Sequence, residues 1–129
     1  MNSPVSEEEY SALKWIKNNT EKGAVVMAPA EQGSLISAIA ERKNVADTHF
    51  LLQNHAEQRI EDIRKAYTTQ METEALRVLN KYRADYIYLS AHAREKFGIQ
   101  RLHYTEDERC FRRVYEGNAE IYEVLCELK

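Results

Sequence analysis

The chain has 129 residues, of which 43% are hydrophobic and 30% charged, a balance that fits one folded domain and excludes wholesale disorder. Its formal net charge of −3 argues against a nucleic-acid partner, because the small Arg109, Arg112, Arg113 cluster is hemmed in by Glu106, Asp107, Glu108 and Glu116. No apolar run approaches the ~20 residues that span a bilayer, and the polar, acidic start from Met1 to Glu9 lacks the pattern of a signal peptide, so residues 1–129 read as a single soluble domain.

The elements follow in order. Ser6 and Glu9 have capping-box spacing, with the hydroxyl accepting from the Glu9 N–H and the carboxylate reaching back to Ser6. Tyr10, Ala12, Leu13 and Ile16 then form an apolar stripe, and the helix stops between Asn18 and Gly23. Ala24 to Met27 is a short apolar run ended by Pro29, as in a strand covered on both faces. A second helix is predicted from about Gln32 to Arg42, with Leu35, Ile36, Ile39 and Ala40 on one face. A second strand is predicted from Val45 to Phe50.

From Asn54 to Thr68, Ala56, Ile60, Ile63 and Tyr67 recur at helical spacing. Thr69 and Glu72 suggest another capping box, opening a helix that turns Ala75, Leu76, Leu79 and Tyr82 inward. Asp85 to Ser90 is the clearest strand, followed by a short helix from Ala91 to Phe97 that Gly98 closes. Finally, 111–115 and 120–125 alternate apolar and polar residues around Glu116, Gly117 and Asn118, a hairpin signal. Helices alternating with strands and then a hairpin define an α/β fold. The expected architecture is a two- or three-layer mixed sheet of about four or five strands with flanking helices and a C-terminal antiparallel β-hairpin.

The turn Glu31, Gln32, Gly33, Ser34 is the first candidate site. It lies where a strand's carboxyl end meets a helix N-terminus, the edge at which open α/β sheets bind ligands, and Gly33 would admit a close approach. A tight β–α connection explains the same residues without a ligand. Cys110 and Cys126 fall near the outer ends of the hairpin, so a cross-strand disulfide is geometrically allowed, and two free, half-buried thiols are the plainer expectation. His49, His55, His92 and His103 are scattered and read as surface or hydrogen-bonded. Glu57, Glu61 and Glu72 read as solvated positions. Tyr82, Tyr86, Tyr88, Tyr115 and Tyr122 fall on or beside the sheet, where packing accounts for them. Asn18, Asn19 and Thr20 form an N-x-Thr glycan acceptor triplet.

The order of these pieces resembles a known family. A helix carrying Trp15, the apolar strand 24–27, the turn ending at Gly33, then Arg42 and Asp47 resemble the soluble C-terminal domain of archaeal and bacterial membrane glycosyltransferases of the oligosaccharyltransferase type. Arg59 to Arg64, Tyr67, Leu76, Leu79, Lys81, Tyr82 and 85–88 are similar to soluble segments of related prokaryotic enzymes that use lipid-linked sugars. The closing Phe111, Val114, Tyr115 and 121–124 are similar to their terminal hairpin. The likeness spans Leu13 to Val124. It departs at the family's acceptor motif, Trp-Trp-Asp-Tyr-Gly, where this chain has Ala30, Glu31, Gln32 and Gly33 and only the glycine matches. Recognition of an acceptor sequon is therefore not carried over.

The resemblance implies an extracytoplasmic domain of a larger multipass protein. It implies no catalytic residue, cofactor or metal in these residues, because a divalent metal and the chemistry belong to acidic loops of the membrane part. The implied partners are the protein's own transmembrane region and an acceptor polypeptide or lipid-linked sugar. The competing expectation is a free-standing cytosolic α/β module that binds a small ligand, or regulates, through the crevice at Glu31 to Ser34.

Overall fold

The computed structural model of the protein describes residues 6–45 and 56–128. Its elements are α1 (Glu7–Asn19), β1 (Val25–Met27), a composite helix α2, β2 (Lys43–Asn44), α3 (Ala56–Thr68), α4 (Glu72–Lys81), β3 (Tyr86–Leu89), α5 (Ala91–Phe97), β4 (Phe111–Tyr115) and β5 (Glu120–Val124). Helix α2 is built from a 3₁₀ turn (Ala30–Gln32), an α turn (Gly33–Leu35) and a π turn (Ile36–Ala40), and stops where Glu41 adopts the left-handed conformation at φ 54°.

The strands form one five-stranded sheet in the order β2-β1-β3-β5-β4. Parallel pairing joins β1 to β2 and to β3, and antiparallel pairing joins β3 to β5 and β5 to β4. The terminal hairpin is therefore present, and the sheet is mixed as its sequence pattern requires. Asp85 binds the entry of β3 to both neighbours. Its N–H donates to Val25 O (2.8 Å), its carboxylate accepts from Val25 N–H (2.9 Å), and its carbonyl accepts from Val124 N–H (2.8 Å).

Strand β3 is buried along its whole length, and its alternation shows why the sheet needs two covers. Tyr86 and Tyr88 join Val26, Ile121, Leu13, Ile16 and Ile36 in the core under α1 and α2. Ile87 and Leu89 join Met27, Ile63, Tyr67, Leu76, Leu79 and Phe111 in the core under α3, α4 and α5. Successive side chains of a strand point to opposite faces, so a fully apolar strand makes the fold three layers deep. No helix among the described residues is long and apolar enough to cross a membrane.

Several local expectations are corrected. The second strand pairs at Lys43–Asn44, with Val45 N–H donating to Val26 O (3.0 Å), and the rest of the predicted 45–50 run lies outside the described residues. It starts early because Val25 and Val26 offer their free edge directly after Glu41 reverses the chain. Only half of the first capping box forms. Ser6 Oγ accepts from Glu9 N–H at 3.1 Å, but the Glu9 carboxylate turns inward to Gln32 and Tyr88. The second box does not form, because Thr69 Oγ1 accepts from Met71 N–H (3.0 Å) in a local turn and α4 begins at Glu72 without a side-chain cap.

Candidate functional site

The carboxyl ends of β1 and β3 lie side by side, and the turn that opens α2 closes over them. Gln32 is buried there, 5% exposed, and bonded at both ends of its amide. Its Nε2–H donates to Glu9 Oε1 (3.0 Å), and its Oε1 accepts from Ser90 Oγ (2.8 Å). Ser90 also caps α5 by accepting from Ala93 N–H (3.0 Å), and Tyr88 Oη donates to Glu9 Oε1 (3.3 Å). Beneath them the buried Tyr67 hydroxyl donates to the carbonyls of Tyr88 (2.6 Å) and Met27 (3.0 Å), while its ring stacks on Phe97 at 4.8 Å. The crevice is thus occupied by the chain's own hydrogen-bonded side chains. Burial pushes the Tyr67 and Tyr88 phenols well above their ordinary range, so both stay neutral donors at physiological pH.

Above this layer Glu31 is exposed and accepts from His92 Nε2–H (2.8 Å) and Lys96 Nζ (2.7 Å) of α5. Partial burial pushes its carboxyl upward, but the hydrogen bonds from Lys96 and His92 outweigh that and hold it below the usual carboxylate range. Ser34 is exposed. Gly33 is buried with helical dihedrals, φ −58° and ψ −38°, so no left-handed turn calls for glycine there. Its carbonyl accepts from Asn44 Nδ2–H (3.0 Å). The four candidate residues therefore divide, with Glu31 and Ser34 facing solvent and Gln32 and Gly33 facing inward.

A second polar centre was not singled out from the sequence. Asp62 of α3, 5% exposed, accepts from Lys81 Nζ (2.7 Å), Tyr82 Oη (2.5 Å) and Gln58 Nε2 (2.9 Å). Desolvation pushes its carboxyl up, but the three donors, Lys81 foremost, outweigh that and leave it below its ordinary value. The available signal was the placement of Asp62 one turn before the inward-facing Ala66 on the apolar side of α3, where an acid requires partners.

The remaining candidates sort themselves by surroundings. Cys110 and Cys126 are joined in a disulfide with Cα atoms 4.8 Å apart, where free thiols had been the plainer expectation. The Phe111–Val124 register brings the flanking residues together. Glu72 is not simply solvated. Its carboxylate lies within 4.8 Å of that of Asp107, and desolvation and then that neighbour raise its pKa. Asp107 is held low, first by Arg109 and then by Glu72. Ligand atoms of Glu72, Asp107 and Cys110 lie within 4.8 Å of one another, but the sulfur is already bonded to Cys126, leaving two carboxylates and no thiolate for a metal. Glu61 pairs with Arg64. His92 is surface-exposed and bonded to Glu31, His103 is exposed, and His49 and His55 lie outside the described residues. Asn18 is exposed in the last turn of α1. The Thr20 hydroxyl is engaged, donating to Ile16 O (2.6 Å) and accepting from Arg42 Nε–H (3.0 Å).

These features define a three-layer α/β domain with a short mixed sheet, its carboxyl edge sealed by Gln32, Glu9 and Ser90. The fold is that of the C-terminal globular domain of oligosaccharyltransferase from Archaeoglobus fulgidus. One crystal structure so described superposes with a TM-score of 0.69 at 18% identity, covering 95% of this chain and 99% of that one. A second superposes with a TM-score of 0.59 at 18% identity, covering 96% and 99%. The family resemblance drawn from the order of the sequence elements thus holds at the level of fold. No protein-family model matches the sequence, and no curated protein matches it.

Proposed function

We propose that this chain is the extracytoplasmic globular domain of a membrane-bound oligosaccharyltransferase-like protein, where it supports acceptor binding or assembly and does not catalyse transfer alone. The observation that carries the reading is the end-to-end match of fold, 95% of this chain against 99% of an oligosaccharyltransferase C-terminal domain. The Cys110–Cys126 disulfide supports outward placement, since such bonds persist in oxidising compartments. The turn 31–34 supports a role in positioning, with Glu31 and Ser34 as the residues available to an acceptor. The catalytic metal and the lipid-linked donor belong to the membrane part, which is this domain's first partner.

The test is made on the full-length product of the reading frame that contains the chain, in sealed vesicles of known orientation. A protease added from outside is expected to release this domain, and the purified 129-residue chain is expected to neither transfer nor hydrolyse a lipid-linked sugar. Cleavage from the cytosolic face alone, or sugar transfer by the isolated chain, overturns the reading.

A further inference from the structure

At the β4 edge of the sheet, on the face opposite α1, a cleft of about 320 Å³ lies between the segment 98–110 and the terminal hairpin. Its floor is apolar, with Leu102 0% and Phe111 1% exposed. The segment that walls it is fixed in place. Tyr104 Oη donates to Ala66 O (2.5 Å) and its ring meets that of Phe111 at 5.0 Å. Thr105 Oγ1 donates to Leu102 O (3.0 Å), and the Cys110–Cys126 bond ties down the far end. The cleft is therefore preformed.

Tyr122, which lines this cleft, is the pointer to a ligand. Five tyrosines are buried among the described residues, and four of them use their hydroxyls inside the protein. Tyr67 donates to Met27 and Tyr88 carbonyls, Tyr86 to Glu21, Tyr88 to Glu9 and Tyr104 to Ala66. Tyr122 is only 8% exposed, yet among the described residues its hydroxyl has no hydrogen-bond partner. A buried phenol ordinarily finds one, so this group is a donor and acceptor left for what enters the cleft. At the rim Glu108 is exposed and likewise has no partner among the described residues. The other charges are matched. Arg101 pairs with Glu106 (3.1 Å), and Arg113 with Glu120 (3.1 Å), which Arg94 also holds (3.0 Å). An entering anion meets the three glutamates and an entering cation meets Arg101 and Arg113, whereas a neutral ligand is opposed by neither. Such a ligand can still bond to the spare N–H groups and lone pairs of the paired ions.

We propose that this cleft binds one neutral sugar ring, its C–H groups over the Leu102 and Phe111 floor and its hydroxyls bonded to Tyr122 Oη and Glu108. An apolar floor under a rim of mixed donors and acceptors matches the two-sided chemistry of a pyranose. The volume lies at the lower end of the ~300–1,000 Å³ of small-molecule sites, which fits one ring. The assignment deepens the reading above by naming a sugar contact, and it rests on that reading only for where such glycans are met.

The experiment is an NMR titration of the 129-residue chain with glucose and N-acetylglucosamine, and with glucuronic acid and protonated glucosamine as the charged counterparts. A neutral sugar is expected to bind with a Kd of ~1–10 mM, with shifts confined to 101–108, 111–113 and 120–122. Both charged sugars should bind at least about threefold more weakly. Tyr122→Phe removes only the hydroxyl and is expected to weaken the neutral sugar about fivefold. Because that hydroxyl has no partner in the fold, Tm should stay within about 2 °C. Glu108→Gln should bring glucuronic acid to within about twofold of glucose. A Tm loss above about 4 °C in Tyr122→Phe would show the hydroxyl to be engaged by the fold and overturns the proposal. So does sugar binding untouched by that variant, a response elsewhere on the surface, a preference for either charged sugar, or no response to the neutral ones. The vesicle orientation assay reads a separate property, so either result can fail while the other stands.

Discussion

Reduction of the Cys110–Cys126 bond has a calculable consequence. The bridge closes a loop with a sequence separation of 16, and removing such a constraint from the unfolded chain costs about 3 kcal/mol. Unfolding entropy near 2.1 cal/mol/K per residue converts that into a Tm loss of about 10 °C for a chain of this length. The native fold should survive, because the hairpin keeps its ladder, Leu125 N–H still donates to Cys110 O (2.7 Å), and Asn80 still donates to Cys126 O (3.2 Å). The assay is urea unfolding of the oxidised chain, the reduced chain and a Cys110→Ala/Cys126→Ser double variant, with thiol titration of the native, unreduced protein. The reduced and double-variant chains should agree, with an unchanged native spectrum away from the hairpin base. Two titratable thiols in the unreduced chain, or a loss below about 1 kcal/mol, would refute the reasoning.

Three further outcomes are expected. Tyr67→Phe deletes only the hydroxyl that joins the carbonyls of Met27 and Tyr88 and should cost about 1–2 kcal/mol by chemical denaturation with the Phe97 stack retained. Gln32→Met keeps volume but strips Glu9 and Ser90 of their shared partner; it should cost about 2 kcal/mol and raise amide exchange at the start of α2 and α5. Asp62→Asn should cost about 2 kcal/mol at pH 7 and less in acid. The native pKa of Asp62 is depressed, so its stabilisation is present above the unfolded value near ~4 and is lost as pH falls through the lower native value. A melting series between neutral and acid pH should therefore show the wild-type and variant curves converging, and parallel curves would reject the assignment.

The legible parts of this fold are those set by local pattern. The β3 run declares itself because Tyr86, Ile87, Tyr88 and Leu89 are apolar on both faces, and that property also dictates three layers. The hairpin follows from alternation around Gly117. The illegible parts depend on contacts distant in sequence. Glu9 looks like half of a capping box until Gln32, 23 residues on, offers its amide. Asp62 finds its partners only when Lys81, at the end of α4, and Tyr82 just beyond it fold back upon it. Strand β2 is misplaced because pairing with Val25 and Val26, not local propensity, decides where it starts. The turn 31–34 is correctly placed at the sheet's carboxyl edge, but nothing in its four residues tells that Gln32 inserts and Glu31 stays outside.

Three glutamates at the start of α1 connect the sealed edge with a shallow groove beside Tyr115. One turn of helix spreads successive side chains about the axis, so Glu9 points to Gln32 and Tyr88 while Glu7 and Glu8 line the groove beside Tyr115. The inward acid fixes the helix against the sheet, and the outward pair can therefore be held in place without a contact of their own to the core. Gln32 occupies the space in which a doubly wound sheet ordinarily receives its ligand, and its two hydrogen bonds make it costly to displace. What the clamp leaves toward solvent is Glu31 and Ser34 above the edge, and Glu7 and Glu8 on the outer side of α1. Any ligand that docks against these residues meets side chains already held by the clamp, which lowers the ordering cost of association.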